Sequence, residues 1–432
     1  MRIERVRALE ILDSRGHPTV QAEVVLAGGT RATAQVPSGA STGRHEAVEL
    51  RDGDLARYAG KGVLRAVRNV EDVLGPAVTG LDASDQAAVD ARLIETDGSA
   101  GKRRLGANAV LAVSCAVARV AARRLDVPLW RYLAQGRRPQ MPVPMVNIIS
   151  GGLHASVSDA GPGCPEFQDF LVIPRGYTDL ASALEAVTAV HRAAGKALAA
   201  GIADEGGWGP RLDSNEQACA ILREAIHTAG ACMDIALDVA ATHFFADGVY
   251  AIEGRRLTSA GMGDLLEGWI SRYGIASIED PLGEDDWEGW KELTQRLGAK
   301  VRLVGDDLFC TNPSRLDHGI RARAANAVLV KMNQIGTLSE TLEVIRLAQR
   351  AGYGTVVSAR SGETEDDSMS DLAVGTGAGQ LKVGAITRSE RLAKYNRLLR
   401  IEERLGDRAV YRGREVFKSY SSESAARGHS FP

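Results

Sequence analysis

The chain has 432 residues, is 44% hydrophobic and 25% charged, and carries a formal net charge of −3. That length accommodates a barrel of about 250 residues plus a smaller domain, in the composition range of globular proteins. The near-neutral charge gives no footing for nucleic acid or a membrane surface.

The opening MRIERVRALE is charged throughout, unlike a signal peptide. Residues 1 to about 55 read as β-rich, with Val20–Leu26 partly alternating and Gly28-Gly29 offering a turn. Residues 56–134 read as helical, with Pro128 at a late helix start. The most apolar stretch, 105–122, contains Asn108, Ser114 and Arg119 and reads as a buried helix rather than a membrane span. Residues 1–134 are therefore expected to form a small α+β cap domain. Pro142-Val143-Pro144 marks a stiff boundary. From 140 to 418, strand-like runs alternate with helical ones, the pattern of a mostly parallel α/β fold. The Ser- and Ala-rich stretch 419–432 is expected to be a disordered tail. Cys115, Cys164, Cys219, Cys232 and Cys310 form no CxxC, which argues against a disulfide framework and for a reducing, cytoplasmic setting.

Five functional side chains follow short apolar runs in the second half. Asp238 follows Ile235-Ala236-Leu237, Glu279 follows Ile275–Ile278, and Asp306 follows the run Val301–Val304. Lys331 follows Val328-Leu329-Val330, and Lys382 follows Gly379-Gln380-Leu381. The gaps from Glu279 to Asp306 and from Asp306 to Lys331 are roughly one strand, one helix and two loops, about 25 residues. A barrel gathers such strand ends on one face. One acid after a strand is an ordinary helix cap or surface charge. Three at barrel spacing need a cation, and an oxygen-only set suits Mg²⁺. Only nine of the 52 basic residues are lysine, which singles out Lys331 and Lys382. A lysine beside a metal would lose proton affinity and could act as a base.

Three loops add further candidates. Asp204-Glu205-Gly206-Gly207 reads either as a turn or as a functional loop. Val36–Gly43 is a small-residue loop with hydroxyls, suited to a lid or to a plain surface turn. Ser358–Thr364 offers Arg360 and Ser361 near a helix start, a phosphate-holding combination. His154 alone among the histidines lies in a Gly-flanked loop of this character.

On these residues the chain resembles the enolase family over nearly its whole length. The strings that carry the resemblance are DSRGHPTV from Asp13, VPSGASTG from Val36, DEGG from Asp204 and SIEDPLGEDDWEGW from Ser277. They continue with GDDLFCTNP from Gly305, LVKMNQIGTLSE from Leu329, SGETED from Ser361 and RSERLAKYNRLLRIEE from Arg388. The resemblance implies an enolase-type (β/α)8 barrel with an N-terminal α+β cap domain, two Mg²⁺ ions per site and a homodimer or higher assembly. It implies dehydration of 2-phosphoglycerate to phosphoenolpyruvate, by a Lys base assisted by Mg²⁺. By the same resemblance Asp238, Glu279 and Asp306 hold the tighter Mg²⁺, and Ser41 helps hold the second. Lys331 is the base, Glu205 the acid on the departing hydroxyl, and Lys382 the carboxylate-side cation. Arg360 and Ser361 hold the phosphate, and His154 is the lid histidine.

The departures from the family pattern are equally specific. Ala359 stands where the family has an active-site histidine. Asp169 replaces a glutamate, Leu153 a serine and Ser150 an asparagine. Trp208 follows DEGG, His243 replaces a glutamate and His17 an asparagine. Such changes, with metal ligands, base and acid retained, imply a paralogue with an altered substrate pocket. One such type is the carboxyphosphonoenolpyruvate synthase of phosphonate and phosphinate biosynthesis, which takes a second, phosphonate-bearing substrate. The alternatives are an ordinary glycolytic enolase and, less favoured, a non-enzymatic scaffold.

Overall fold

The computed structural model describes residues 1–39, 43–155 and 164–420. The first element is an antiparallel sheet of Ile3–Leu12, Pro18–Leu26 and Arg31–Gln35, in that order. Gly28 and Gly29 make the second turn at φ +98° and +82°, a region that a side chain would disfavour. The helix Ala107–Arg124 packs on this sheet and is buried on nearly every side. Its Val110, Val113 and Val117 belong to the cap's apolar core, while Ala118 belongs to the core outside the barrel.

Eight strands then close a barrel. In order they are Val143–Ser150, Asp169–Ile173, Asp234–Asp238, Ile275–Glu279, Arg302–Gly305, Ala327–Val330, Gly354–Ser358 and Gln380–Gly384. The eighth pairs back onto the first, which closes the ring. The second strand runs antiparallel to both neighbours; the other neighbouring pairs are parallel. Nearly every strand residue is buried, as expected when helices cover the outside and side chains fill the inside.

Strand periodicity places the functional layer. Alternate residues share a face. The interior cluster holds Val143 and Met145, Leu171 and Ile173, Ala236, Val304, Ala327 and Leu329, and Val356. One step further along the same faces stand Asn147, Asp169, Asp238, Asp306, Lys331 and Ser358. The apolar barrel interior is thus the floor of a polar site. At the opposite end, the segment Gly413–Tyr420 places Val416 in the same cluster. This 3₁₀ helix runs two residues into the stretch expected to be a tail, and residues 421–432 lie outside the described ones. Among the described residues no helix is long and apolar enough to cross a membrane.

Candidate active site

The strand ends bring the predicted side chains into one cavity. It is lined by His154, Gln168, Glu205, Asp238, Lys331, Ser358, Ala359, Arg360, Ser361, Lys382 and Val383. Glu279 and Asp306 reach it through the lysines. Lys382 Nζ lies 2.6 Å from Asp238 Oδ2 and 2.8 Å and 2.9 Å from the two Glu279 oxygens. Lys331 Nζ lies 2.5 Å from Asp306 Oδ2. Gln334 Nε2 donates to Asp306 Oδ1 at 2.8 Å.

The electrostatics follow from burial and charge crowding. Burial, then the neighbouring Asp238, pushes Glu279 well above the usual carboxylate range. Burial would also raise Asp306, but the Lys331 ammonium outweighs it and holds Asp306 low. Burial alone would lower both lysines; the carboxylates outweigh it. Asp306 raises Lys331, and Asp238 with Glu279 raises Lys382 well above its ordinary value. The expectation that Lys331 loses proton affinity belongs to a lysine beside a bound cation; with the Asp306 carboxylate as its nearest charge, the protonated form is favoured. A second acidic layer backs the site: oxygens of Asp280, Asp306 and Asp307 all lie within 4.8 Å of one another. The donor chemistry fits a hard divalent cation. Asp238, Glu279 and Asp306 are buried oxygen donors whose negative charge needs positive countercharge.

A second cluster faces the same cavity. Asp169 opens a strand that runs against the others, so its first residue stands at the mouth, opposite Ser150 and Asp238. Its Oδ2 lies 2.7 Å from His154 Nδ1; its Oδ1 accepts from Ser150 Oγ at 3.1 Å and from Asn147 Nδ2. His154 Nε2 points to Glu205 at 3.9 Å. Burial would lower His154, but Asp169 and Glu205 outweigh it and push it up to about 9. Burial would raise Glu205; the His154 charge reverses this and lowers it. Asp169 itself is raised, with burial the dominant cause.

The phosphate-holding candidates come from the loop after the seventh strand. Arg360 is almost fully buried, and its Nη1 donates to Glu46 Oε2 at 3.0 Å and Asn333 Oδ1 at 2.9 Å. Arg391, on the helix Ser389–Leu405, donates to the carbonyls of Arg360, at 2.6 Å, and Ser361, at 2.5 Å. Ser41 lies outside the described residues. The expected lid loops are described only in part, since residues 40–42 and 156–163 are outside the described ones.

Not every departure from the family pattern faces the cavity. Ala359 lines it and Asp169 holds His154. Trp208 instead turns toward the helix Leu180–Leu198: its Nε1 donates to the His191 carbonyl at 2.9 Å, and the two rings lie 5.0 Å apart. His17 sits at the cap surface, with Lys61 Nζ 3.1 Å from its Nε2. Leu153 is half exposed.

Glu46, Gln334 and Arg391 carry no expectation from the sequence. The second acids in Glu279-Asp280 and Asp306-Asp307 were a visible signal for the backing layer. Glu46 lies three residues beyond the Val36–Gly43 loop, and its side-chain partners Gln334 and Arg360 are more than 280 positions away, so no local pattern marks its role. The description "Enolase, N-terminal domain" matches residues 3–133, and "Enolase, C-terminal TIM barrel domain" matches residues 138–420. With the closed barrel, the cap and the convergent strand ends, this shows that the chain belongs to the enolase family.

Proposed function

We propose that the chain is a Mg²⁺-dependent enzyme that removes the proton beside the carboxylate of a 2-phosphoglycerate-like substrate. We further propose that its pocket is remodelled for a second, phosphonate-bearing substrate, as in a carboxyphosphonoenolpyruvate synthase. The observation that carries the first part is that Lys331 and Glu205 line one cavity with Arg360, Ser361 and Lys382. The second part rests on Ala359, which lines that cavity where an imidazole is the family pattern.

Each residue has a derivable task. Asp238, Glu279 and Asp306 would hold the cation, which supplies positive charge against the carboxylate-side charge that builds as the proton leaves. Lys331 takes the proton at Nζ, which requires it to arrive neutral and so to be relieved of the Asp306 ion pair. Lys382 meets the substrate carboxylate; Arg360 and Ser361 meet the phosphate. Glu205 gives a proton to the leaving hydroxyl when plain dehydration occurs. Asp169 fixes the His154 ring so that one nitrogen faces Glu205.

The two readings separate on plain dehydration. An imidazole can donate, accept and carry charge; the methyl of Ala359 does none of these. Loss of one acid–base or charge-stabilising group costs about 10²–10⁴ in rate. We expect poor conversion of 2-phosphoglycerate alone, improved by Ala359→His with Asp169→Glu. A kcat/KM for plain dehydration of about 10⁵ M⁻¹s⁻¹ or more would instead assign ordinary enolase chemistry, which the retained Lys331 and Glu205 permit.

A further inference from the structure

We propose that Glu46 is a positioning residue that ties the segment 43–49 to both the phosphate-holding Arg360 and the metal-ligand candidate Asp306. The proposal rests on the reading of Arg360 as the phosphate holder. The Glu46 carboxylate is buried against Arg360, with side-chain exposures of 8% and 3%. Its two oxygens take the two terminal nitrogens of the guanidinium, at 3.0 Å and 3.2 Å. A carboxylate fork on a guanidinium fixes the plane of the cation as well as neutralising it.

The same carboxylate holds its own segment. Glu46 Oε1 accepts the Gly43 N–H at 3.0 Å. The segment is also pinned at Ala47, whose N–H donates to the Gln334 carbonyl at 2.8 Å, and at Arg44, whose Nε donates to Glu284 at 2.7 Å.

Gln334 carries the tie into the base and metal region. Its Nε2 donates to Glu46 Oε1 at 3.3 Å and to Asp306 Oδ1 at 2.8 Å. Its Oε1 accepts from Thr311 Oγ1 at 2.6 Å, and that hydroxyl accepts the Lys331 backbone N–H at 2.9 Å. The partners dictate each role: the amide nitrogen donates twice, the amide oxygen accepts, and the Thr311 hydroxyl donates once and accepts once. A buried network of this kind specifies one arrangement. Replacing Glu46 by Gln keeps the size but places an amide donor against an Arg360 nitrogen in either orientation of the amide.

Two opposite effects can be separated. If Glu46 only neutralises Arg360, its removal leaves a bare cation and tightens binding of a phosphate. If Glu46 positions Arg360, its removal weakens binding although the site becomes more positive.

The test measures 2-phosphoglycerate binding to the full chain by calorimetry in Mg²⁺ buffer, with trypsin cleavage after Arg44 as a second readout. For Glu46→Gln we expect affinity to fall at least ten-fold and cleavage in the ligand-free protein to rise at least five-fold. Glu46→Asp, which keeps the charge, should recover part of both and serves if Glu46→Gln does not fold. Unchanged or tighter binding, or cleavage within two-fold of the parent, overturns the proposal, even with an altered melting temperature. If the unaltered chain does not bind 2-phosphoglycerate, the substrate reading fails separately, and the cleavage arm decides whether Glu46 ties the segment.

Discussion

Asp169 governs the charge of His154. The imidazole is buried, and its pKa of about 9 exists because two carboxylates oppose the effect of burial. Because this folded value lies above the unfolded 6.5, the pair contributes stability fully below pH 6.5. That contribution is lost as pH rises through about 9 and amounts to about 3 kcal/mol at most. Asp169→Asn removes the nearer carboxylate, so burial regains ground. The His154 titration, followed by NMR of the ring protons, should fall by at least one unit, and the stability loss between pH 6.5 and 9 should shrink. A second test concerns Lys331. Lys331→Ala should abolish exchange of the substrate's proton beside the carboxylate with D₂O while the far-UV circular dichroism stays unchanged. Exchange at the parental rate would assign the base to another group.

The strands explain which site residues the sequence itself marks. Asp238, Glu279, Asp306 and Lys331 are legible because each ends or directly follows a strand that pairs in parallel, so an apolar run followed by a charged residue points to one face. Asp169 has the opposite signature, standing at the start of its strand, and only the family resemblance marked it. Arg360 and Ser361 were legible from their hydroxyl- and Gly-rich loop. Glu46 and Gln334 were not, because their partners come from other elements. Trp208 was legible as a bulky departure, but its direction was not. The helix Leu180–Leu198 supplies the reason: a Cβ added at Gly195 would stand 2.2 Å from the indole. Gly195 is therefore the space that Trp208 fills. Gly195→Ala gains helix propensity of about 1 kcal/mol, yet overpacking of this kind costs about 1–3 kcal/mol. We expect a net loss in urea denaturation, relieved by adding Trp208→Ala. A stabilised single variant would refute the packing.

At the scale of the whole molecule, the barrel is closed at its lower end by the chain's own last described segment. The Val416 carbonyl accepts from the buried Arg302 Nη2 at 2.7 Å, and the Phe417 ring lies 4.6 Å from that guanidinium. Ending the chain before Gly413 should uncover Arg302 and the Val416 site. The expected cost is about 2–4 kcal/mol, read from the denaturation midpoint, by analogy with other core truncations. Catalytic chemistry at the far mouth should be spared at temperatures where the truncated chain is folded. The reversed second strand has a different consequence. Because it returns beside the first, the first strand's last residue, Ser150, and the second strand's first, Asp169, stand opposite each other at the same mouth, and the connection 151–168 joins them there. Length there can change without shifting any strand's register. This makes it the natural position for grafting: a transplanted connection would exchange what the enzyme accepts while leaving Lys331, the base we propose, where it stands.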